Sequence, residues 1–294
     1  MNIYIINMLR LFIIFSLLSV VNSLNQLSFS GGGSFGAVEI GILKRVIDME
    51  NKKYDLYTGI SAGALNSGFL SYYSNIRFGI TFAEKIYSTI KNRMIYEMIP
   101  NTGISLLNTQ PLFNTLTEII DTLPNQPIIH TIIGATNMYS GQLDTYNFEE
   151  QNNTDKVLLL MSSSAIPGIF PPIKFNNKLY ADGGILSNEL IEVEHDNKYL
   201  NITFITPYEG YIYDDSPIDT LREMLKRTMS ILLANFDDPI ASLNQNCKIP
   251  IGEINKYFVP PELLKNYSIL NFEKGAELID IGYNYVTHKK YNIC

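Results

Sequence analysis

Residues 26–63 read QLSFSGGGSFGAVEIGILKRVIDMENKKYDLYTGISAG, and this stretch indicates the fold. Residues 26–30 have a short strand pattern that runs directly into three glycines. Apolar side chains then recur every three or four positions, as on one face of a helix. A second strand candidate, residues 56–58, reaches Gly59 and is followed by small residues that favour a helix. The stretch therefore predicts the order strand, helix, strand, helix.

The same alternation continues along the chain. Further strand patterns lie at 127–136, 142–148, 179–182 and 202–205. Helix patterns lie at 62–72, 82–94, from 157 onward, 218–236 and 274–287. Strands that alternate with helices predict an α/β fold with a mostly parallel sheet and helices on both faces.

The composition is that of a globular protein. The chain has 294 residues, of which 46% are hydrophobic and 17% charged, enough for one large core, and this excludes a disordered chain. The formal net charge is −7 and Lys and Arg form no cluster, so nucleic acid is not an expected partner. No metal-ligand spacing occurs, and the sequence does not indicate the oligomeric state.

The first 23 residues resemble a secretory signal. One positive charge precedes an apolar run, LFIIFSLLSVV at 11–21, and Ser23 offers a small residue for cleavage. The run has 11 residues, whereas a spanning helix needs about 20. The predicted division is a signal peptide at 1–23 and a single domain at 24–294, secreted or in the lumen of the secretory pathway. The alternative is an uncleaved N-terminal membrane anchor.

Two further features bear on a secreted chain. Possible glycosylation sites have the N-x-S/T pattern at Asn152, Asn201 and Asn266, of which Asn201 falls in a predicted buried strand. Cys247 and Cys294 either pair in an oxidising compartment or remain free thiols.

The strongest catalytic motif is Gly59-Ile60-Ser61-Ala62-Gly63. It matches G-x-S-x-G between a predicted strand and a predicted helix, which is the context of a nucleophile elbow. Gly59 and Gly63 permit the tight turn, and Ser61 is the candidate nucleophile. An ordinary Gly/Ser turn is the alternative interpretation.

A second motif, GGGSFG at 31–36, also lies between a strand and a helix. Consecutive glycines can present several backbone N–H groups to the oxyanion that forms in acyl transfer. The same residues match the dinucleotide fingerprint G-x-G-x-x-G, with Asp55 as its acidic partner, and this predicts an oxidoreductase instead. An oxidoreductase would leave the G-x-S-x-G motif unexplained.

The third motif is Asp182-Gly183-Gly184, which follows a strand pattern. An Asp at a strand end, followed by two glycines, can reach an active-site hydroxyl without crowding. Alone, the tripeptide indicates only a turn.

The three motifs together resemble the patatin-like phospholipase family, from about Leu27 to about Leu190. Their order and spacing match, as do SSAIP at 163–167 and FPP at 170–172. The resemblance implies a three-layer α/β/α sandwich that hydrolyses lipid acyl esters, without a cofactor, in membranes or lipid aggregates. It also implies that Ser61 is the nucleophile and Asp182 the proton acceptor. The implied oxyanion hole consists of Gly31, Gly32, Gly33, Ser34, Phe35 and Gly36. The motif glycines of the Asp are Gly183 and Gly184.

One position departs from the family pattern. Phe35 stands where many members have Lys or Arg, which puts a preference for anionic head groups in doubt. The sequence is also compatible with a Ser-His-Asp esterase that uses His195 or His288, and with a catalytically silent storage or lipid-binding protein. His130 falls inside a strand pattern and is predicted to be a core residue.

The helix pattern at 218–236 has an apolar stripe that includes Leu221, Leu225 and Leu232. Such a stripe is typical of core packing, and it is also compatible with a lipid surface.

Overall fold

The computed structural model describes residues 23–98, 103–192, 199–234 and 251–291. In these ranges the strands are β1 (Ser23–Phe29), β2 (Leu56–Ile60), β3 (Glu97–Met98), β4 (Leu107–Asn108), β5 (His130–Asn137), β6 (Gln142–Asn147), β7 (Ile173–Phe175), β8 (Lys178–Ala181), β9 (Tyr199–Tyr208), β10 (Ile251–Val259) and β11 (Thr287–Tyr291). The α-helices are α1 (Gly36–Glu50), α2 (Ala62–Leu70), α3 (Ile76–Thr89), α4 (Asn92–Ile95), α5 (Gln110–Thr122), α6 (Asn153–Ser163), α7 (Leu221–Ala234) and α8 (Gly275–Asn284).

The main sheet is parallel at its centre and antiparallel at its margins. Its strands lie in the order β11-β10-β9-β1-β2-β5-β8-β7, and β6 also pairs with β5. Neighbours from β10 to β5 are parallel, whereas β11, β6, β8 and β7 join in antiparallel fashion. The prediction of an α/β fold with a mostly parallel sheet flanked by helices is confirmed. Because Phe29 pairs with Gly59, the glycine loop and the Ser61 turn leave the sheet at the same edge.

The two faces of β1 are buried in different ways. Leu27 and Phe29 join the large apolar core together with side chains of the helices. On the other face the side chains of Gln26 and Ser28 donate hydrogen bonds to the carbonyl oxygen of Leu190, over 2.8 and 2.9 Å. The chain that follows Asp182 therefore covers this face and is held there by buried polar groups.

The C-terminal part differs most from the sequence prediction. The helix predicted at 274–287 ends at Asn284 as α8, and β11 follows, with Thr287 opposite Phe258 of β10. β10 itself was not predicted, because Gly252, Asn255 and Lys256 interrupt its apolar pattern. Its assignment as a strand comes from its parallel pairing with β9 and not from its local sequence.

Smaller differences occur among the helices. The pattern at 82–94 is divided into α3 and α4, because Ile90 is extended (φ −61°, ψ 143°). Helix α5 was not predicted, and the pattern at 218–236 is a helix over Leu221–Ala234.

Several sequence predictions fall on residues 1–22, 193–198, 235–250 and 292–294, outside the described residues. They include the signal peptide, the pairing of Cys247 with Cys294, and any role of His195. In the ranges that the structure describes, no helix is long and apolar enough to cross a bilayer.

Candidate active site

Ser61 occupies a strained turn between β2 and α2. Its backbone has φ 54° and ψ −120°, a conformation that residues with a side chain rarely adopt. Ser61 is 5% exposed, in the position that a nucleophile elbow gives to its serine. The strand-turn-helix context predicted for the G-x-S-x-G motif is therefore present.

The two glycines of this motif are required by close packing. A Cβ atom on Gly59 would lie 2.2 Å from the carbonyl oxygen of Gly63, and one on Gly63 would lie 2.4 Å from that of Phe29. Both distances are far shorter than a van der Waals contact, so α2 can start this close to β1 and β2 only if both positions are glycine.

Neighbouring serines hold the Ser61 backbone in place. The Ser61 N–H donates to Ser163 Oγ over 2.9 Å, and that hydroxyl donates to the carbonyl oxygen of Gly134 over 2.6 Å. The Ser164 hydroxyl lies 3.2 Å from the carbonyl oxygen of Ser61. The SSAIP segment thus braces the strained turn, a role that its sequence does not reveal.

Asp182 contacts the Ser61 hydroxyl directly. Ser61 Oγ donates to Asp182 Oδ2 over 2.7 Å, and Asp182 Oδ1 accepts the N–H of Gly184 over 2.8 Å. The Asp182 carbonyl oxygen accepts the Thr136 hydroxyl over 2.9 Å. Both carboxylate oxygens and the backbone are therefore fixed.

The environment of Asp182 suits it to accept a proton. Burial raises its pKa to about 7, against the opposing effect of the hydrogen bonds from Ser61 and Gly184. A pKa near the working pH is the optimum for a general base. Asp182 reaches Ser61 from β8, which runs antiparallel to β5 with Ala181 opposite Thr136.

The six backbone N–H groups of the glycine loop (residues 31–36) are not equivalent. Gly31 donates to Asn188 Oδ1 over 3.0 Å, and Ser34 donates to the carbonyl oxygen of Ile269 over 2.8 Å. Phe35 and Gly36 donate to carbonyl oxygens within the loop. The N–H groups of Gly32 and Gly33 have no acceptor within the described part of the chain.

Close packing around this loop leaves no space for a side chain at Gly33, and the side chain of Phe35 is buried. Gly33 has φ +58°, and a Cβ atom there would lie 2.3 Å from the carbonyl oxygen of Ile269. Phe35 is 1% exposed and its ring meets the edge of Tyr208, with centroids 6.0 Å apart. Since this position is apolar and buried, a Lys or Arg here would have to bury its charge.

The two histidines that the structure describes lie elsewhere. His130 was predicted to be a core residue, which is wrong: it is half-buried at the start of β5 and contacts the carboxylate of Glu149. His288, which directly follows the helix predicted at 274–287, lies instead in β11, stacked on Tyr257 with centroids 4.5 Å apart. β11 is four strands from β2, roughly 19 Å across the sheet. Neither of these histidines is placed to act in a triad with Ser61.

Asp55 does not fit a dinucleotide site. It immediately precedes β2, so it lies at the opposite edge of the sheet from the glycine loop, and its carboxylate accepts the N–H of Asn25 over 3.0 Å. In a dinucleotide fold the acidic residue belongs at the loop end of the strands, near the ribose. Asp55 is therefore too far from the glycine loop to serve as the acidic residue of a dinucleotide site.

One comparison with known proteins identifies a family for this chain. The sequence model of the family described as patatin-like phospholipase matches residues 27–195, which contain all three motifs. No curated protein matches the chain.

Solved structures with some similarity include VipD from Legionella pneumophila, at 13% identity and a TM-score of 0.40 over 92% of this chain and 68% of VipD. Another is ExoU of Pseudomonas aeruginosa in its complex with SpcU, at 12% identity and a TM-score of 0.35 over 91% of this chain and 53% of ExoU. This chain thus spans about half of ExoU. Because the family match covers more than half of the sequence and includes Ser61 and Asp182, the chain belongs to the patatin-like phospholipase family.

Proposed function

We propose that this protein is a serine hydrolase of lipid acyl esters, of phospholipase or lysophospholipase type. Ser61 is the nucleophile and Asp182 its proton acceptor. The observation that carries this proposal is the 2.7 Å hydrogen bond from Ser61 Oγ to a buried carboxylate whose pKa is raised to about 7. Family membership supports a lipid substrate.

The reaction proceeds in two halves. Ser61 Oγ attacks the ester carbonyl carbon while its proton passes to Asp182 Oδ2. The tetrahedral intermediate then expels the alcohol, which takes the proton from Asp182, and an acyl-enzyme remains. Water attacks that ester with Asp182 again accepting the proton. Ser61 Oγ then leaves and takes the proton back from Asp182. The fatty acid is released.

The oxyanion is bound by backbone N–H groups that no protein group already occupies. Gly32 and Gly33 fulfil this condition among the described residues, whereas Gly31, Ser34, Phe35 and Gly36 donate to other acceptors. Donors that are fixed in place before the charge develops stabilise the transition state without reorganisation. We therefore assign the oxyanion hole to the backbone N–H groups of Gly32 and Gly33.

An apolar cavity with Gly33 in its lining supports an acyl substrate. It lies among α2, α3 and α5, with a free volume of ≈ 40 Å³. Its lining includes Leu65, Phe69, Ile86, Ile90, Leu112 and Leu116. Because Gly33 of the glycine loop is part of its lining, we propose that this cavity receives the acyl chain of the substrate, and a long chain must also displace lining side chains.

Exposed apolar side chains lie near the Asp182 turn. Helix α7 contacts the turn formed by Gly183–Ile185, and Leu225 packs against Gly168. On the outer face of α7, Leu221 is 62% exposed and Met224 is 58% exposed. Leu232, also in the stripe, is 43% exposed, so the interpretation of this stripe as core packing holds for neither Leu221 nor Leu232. An exposed apolar helix near the site supports a substrate presented by a lipid surface.

The test combines covalent labelling with product analysis. A fluorophosphonate probe should label wild-type protein at Ser61, and labelling should be absent in Ser61→Ala. Wild-type protein should release fatty acid from a panel of phospholipids, lysolipids and neutral glycerides, and the most rapidly hydrolysed member defines the head group. Folded wild-type protein that neither reacts with the probe nor releases fatty acid from any lipid would favour a silent lipid-binding protein.

We also propose that the protein is secreted, with the mature chain starting at Leu24. Asn266 is exposed and open to glycosylation, whereas Asn152 is exposed but its amide donates to Asp155 Oδ2 over 2.6 Å at the start of α6. Asn201 is half-buried and its amide bridges two strands, donating to Asn25 Oδ1 and accepting the N–H of Glu253, both over 3.0 Å. N-terminal sequencing and glycosidase treatment of natively expressed protein test this; an intact Met1 on unglycosylated protein would contradict it.

A further inference from the structure

Glu39 is a buried carboxyl group that the proposed mechanism does not use. It lies in the first turn of α1, immediately after the glycine loop, and is 0% exposed. None of the ion pairs among the described residues includes it. Burial raises the pKa of Glu39 well above its ordinary value, and its hydrogen bonds offset only part of this effect. Such a group is costly to bury, which suggests a function for its geometry.

Three donors converge on the two oxygens of Glu39. Ser30 donates twice to Oε1, from its N–H over 3.0 Å and from its hydroxyl over 3.1 Å. Asn66 donates to Oε2 from Nδ2 over 2.8 Å. Ser30 immediately precedes the glycine loop, and Asn66 is in α2, the helix that begins after Ser61.

The same two partners hold both ends of the glycine loop. The carbonyl oxygen of Ser30 accepts the N–H of Gly63, the last residue of the elbow motif, over 3.0 Å. Asn66 Nδ2 also donates to the carbonyl oxygen of Gly36, where the loop ends, over 3.0 Å. Glu39 thus connects the start of the loop, its end and the helix behind the nucleophile.

We propose that Glu39 is a positioning residue, which holds the glycine loop at the distance from Ser61 that the oxyanion requires. This inference rests on the proposed function. Oxyanion donors act only when correctly placed, and a displacement of about 1 Å can cost about 10²-fold in rate. Glu39 acts through Ser30 and Asn66 and does not itself touch the substrate.

A carboxyl group satisfies this arrangement in either protonation state: ionised, it accepts all three donors, and protonated, it donates from Oε1 to the Ser30 hydroxyl, which can then donate to Thr206 Oγ1 over 2.8 Å. An amide does not satisfy it. Glutamine has the shape of Glu39 but offers one oxygen and one NH2 group. In either orientation one of its N–H bonds would face the N–H of Ser30 or the NH2 of Asn66. Asn66 cannot simply reverse its amide, because Nδ2 also binds Gly36 and Oδ1 accepts the Tyr87 hydroxyl over 2.8 Å. Glu39→Gln should therefore shift the loop without changing the side-chain volume.

The experiment measures kcat and KM of Glu39→Gln on a soluble p-nitrophenyl ester, per active site titrated with the fluorophosphonate probe. We expect kcat to fall roughly 10- to 100-fold, while KM changes less than about twofold, because the oxyanion exists only in the transition state. Glu50→Gln is the matched control: it is the same substitution at the exposed end of the same helix and should retain wild-type kcat.

A milder variant covers the case in which Glu39→Gln does not fold. Ser30→Ala removes one of the three hydrogen bonds to Glu39 and should lower kcat several-fold at constant KM. Ser71→Ala, which loses a buried hydroxyl hydrogen bond at the end of α2, controls for stability alone. Wild-type kcat per titrated site in folded Glu39→Gln, or in Ser30→Ala if the former does not fold, would overturn the inference. Failure of the probe to label wild-type Ser61 would instead overturn the proposed function.

Discussion

Two buried carboxyl groups flank the glycine loop, and their surroundings differ. Asp182 is at the carboxyl end of β8 and Glu39 is in the first turn of α1. Burial raises the pKa of both groups. Asp182 accepts the hydroxyl of Ser61, the proposed nucleophile, whereas the hydrogen bonds of Glu39 come from Ser30 and Asn66, which contact both ends of the loop.

Under the proposed mechanism, burial alone does not identify the catalytic base. Both groups are desolvated, so a raised pKa is common to both. The partner of each group separates their roles, because Ser61 Oγ can leave its proton on Asp182 and attack a carbonyl carbon. Ser30 and Asn66, which donate to Glu39, do not act as nucleophiles in the proposed mechanism. We therefore expect changes at the two positions to lower kcat by different amounts and to change stability in opposite directions.

The largest expected effect is the loss of catalysis when the Ser61–Asp182 pair is broken. Ser61→Ala and Asp182→Asn should each lower kcat about 10³-fold or more. The first removes the attacking oxygen, and the second removes the group that accepts its proton. Circular dichroism and thermal unfolding should show that both variants are folded. More than a tenth of wild-type activity in folded Asp182→Asn would remove Asp182 from the mechanism.

The next effect concerns the loop between the two carboxyl groups. Gly33→Ala should lower kcat about 10²-fold or more, because φ at Gly33 is +58° and a Cβ atom there meets the carbonyl oxygen of Ile269 at 2.3 Å. Gly141→Ala is the control, since Gly141 also has positive φ (+68°) but open space around its Cβ position. Equal losses in both variants would indicate backbone strain alone.

The pH dependence should follow Asp182. Its carboxylate must be ionised to accept the proton, so kcat/KM should fall about tenfold for each pH unit below an apparent pKa of about 7. A rate profile on a neutral soluble ester measures this. An acidic limb with an apparent pKa near 4 would mean that Asp182 is not desolvated in the free enzyme.

Stability should separate the two carboxyl groups in opposite directions. The folded pKa of Asp182 is above its unfolded value near 4, so the native state binds the extra proton and loses stability as pH rises from about 4 to 7. Asp182→Asn removes this cost, worth up to ~4 kcal/mol, and should unfold at a higher temperature than wild type at pH 8, with a smaller gain at pH 5. Glu39→Gln also removes a buried group with a raised pKa, but it places two N–H groups against each other, so we expect it to unfold at a lower temperature than wild type at pH 5, where the proton-linked cost in wild type is smallest. Calorimetry of both variants at both pH values decides this.

The smallest expected effect is at His288. Its Nε2 lies 2.9 Å from Asn255 Oδ1, at the edge of the sheet away from Ser61. His288→Ala should therefore retain kcat within about twofold, apart from any loss of folded protein. A loss of 10²-fold or more in folded protein would favour a Ser-His-Asp triad. Asp182 would then no longer be the group that takes the proton from Ser61.

Local sequence patterns determined much of the fold around the site. The glycine loop and the G-x-S-x-G turn each lie between a strand and a helix, as their sequences predict. Patterns of this kind depend on a few neighbouring residues, so they can be recognised in a single sequence. The same is true of the mostly parallel centre of the sheet, whose strands alternate with helices.

The sequence by itself determined which residues can perform the chemistry: a serine in a strand-to-helix turn, a strand-end aspartate and a loop of glycines. Only the tertiary structure decided which of them meet. Asp182 reaches Ser61 from an antiparallel strand, and the N–H groups of Gly31 and Ser34 are taken by Asn188 and Ile269 from distant parts of the chain. The physical reason is that strand pairing and hydrogen-bond partners depend on residues far apart in sequence, and no local pattern records them.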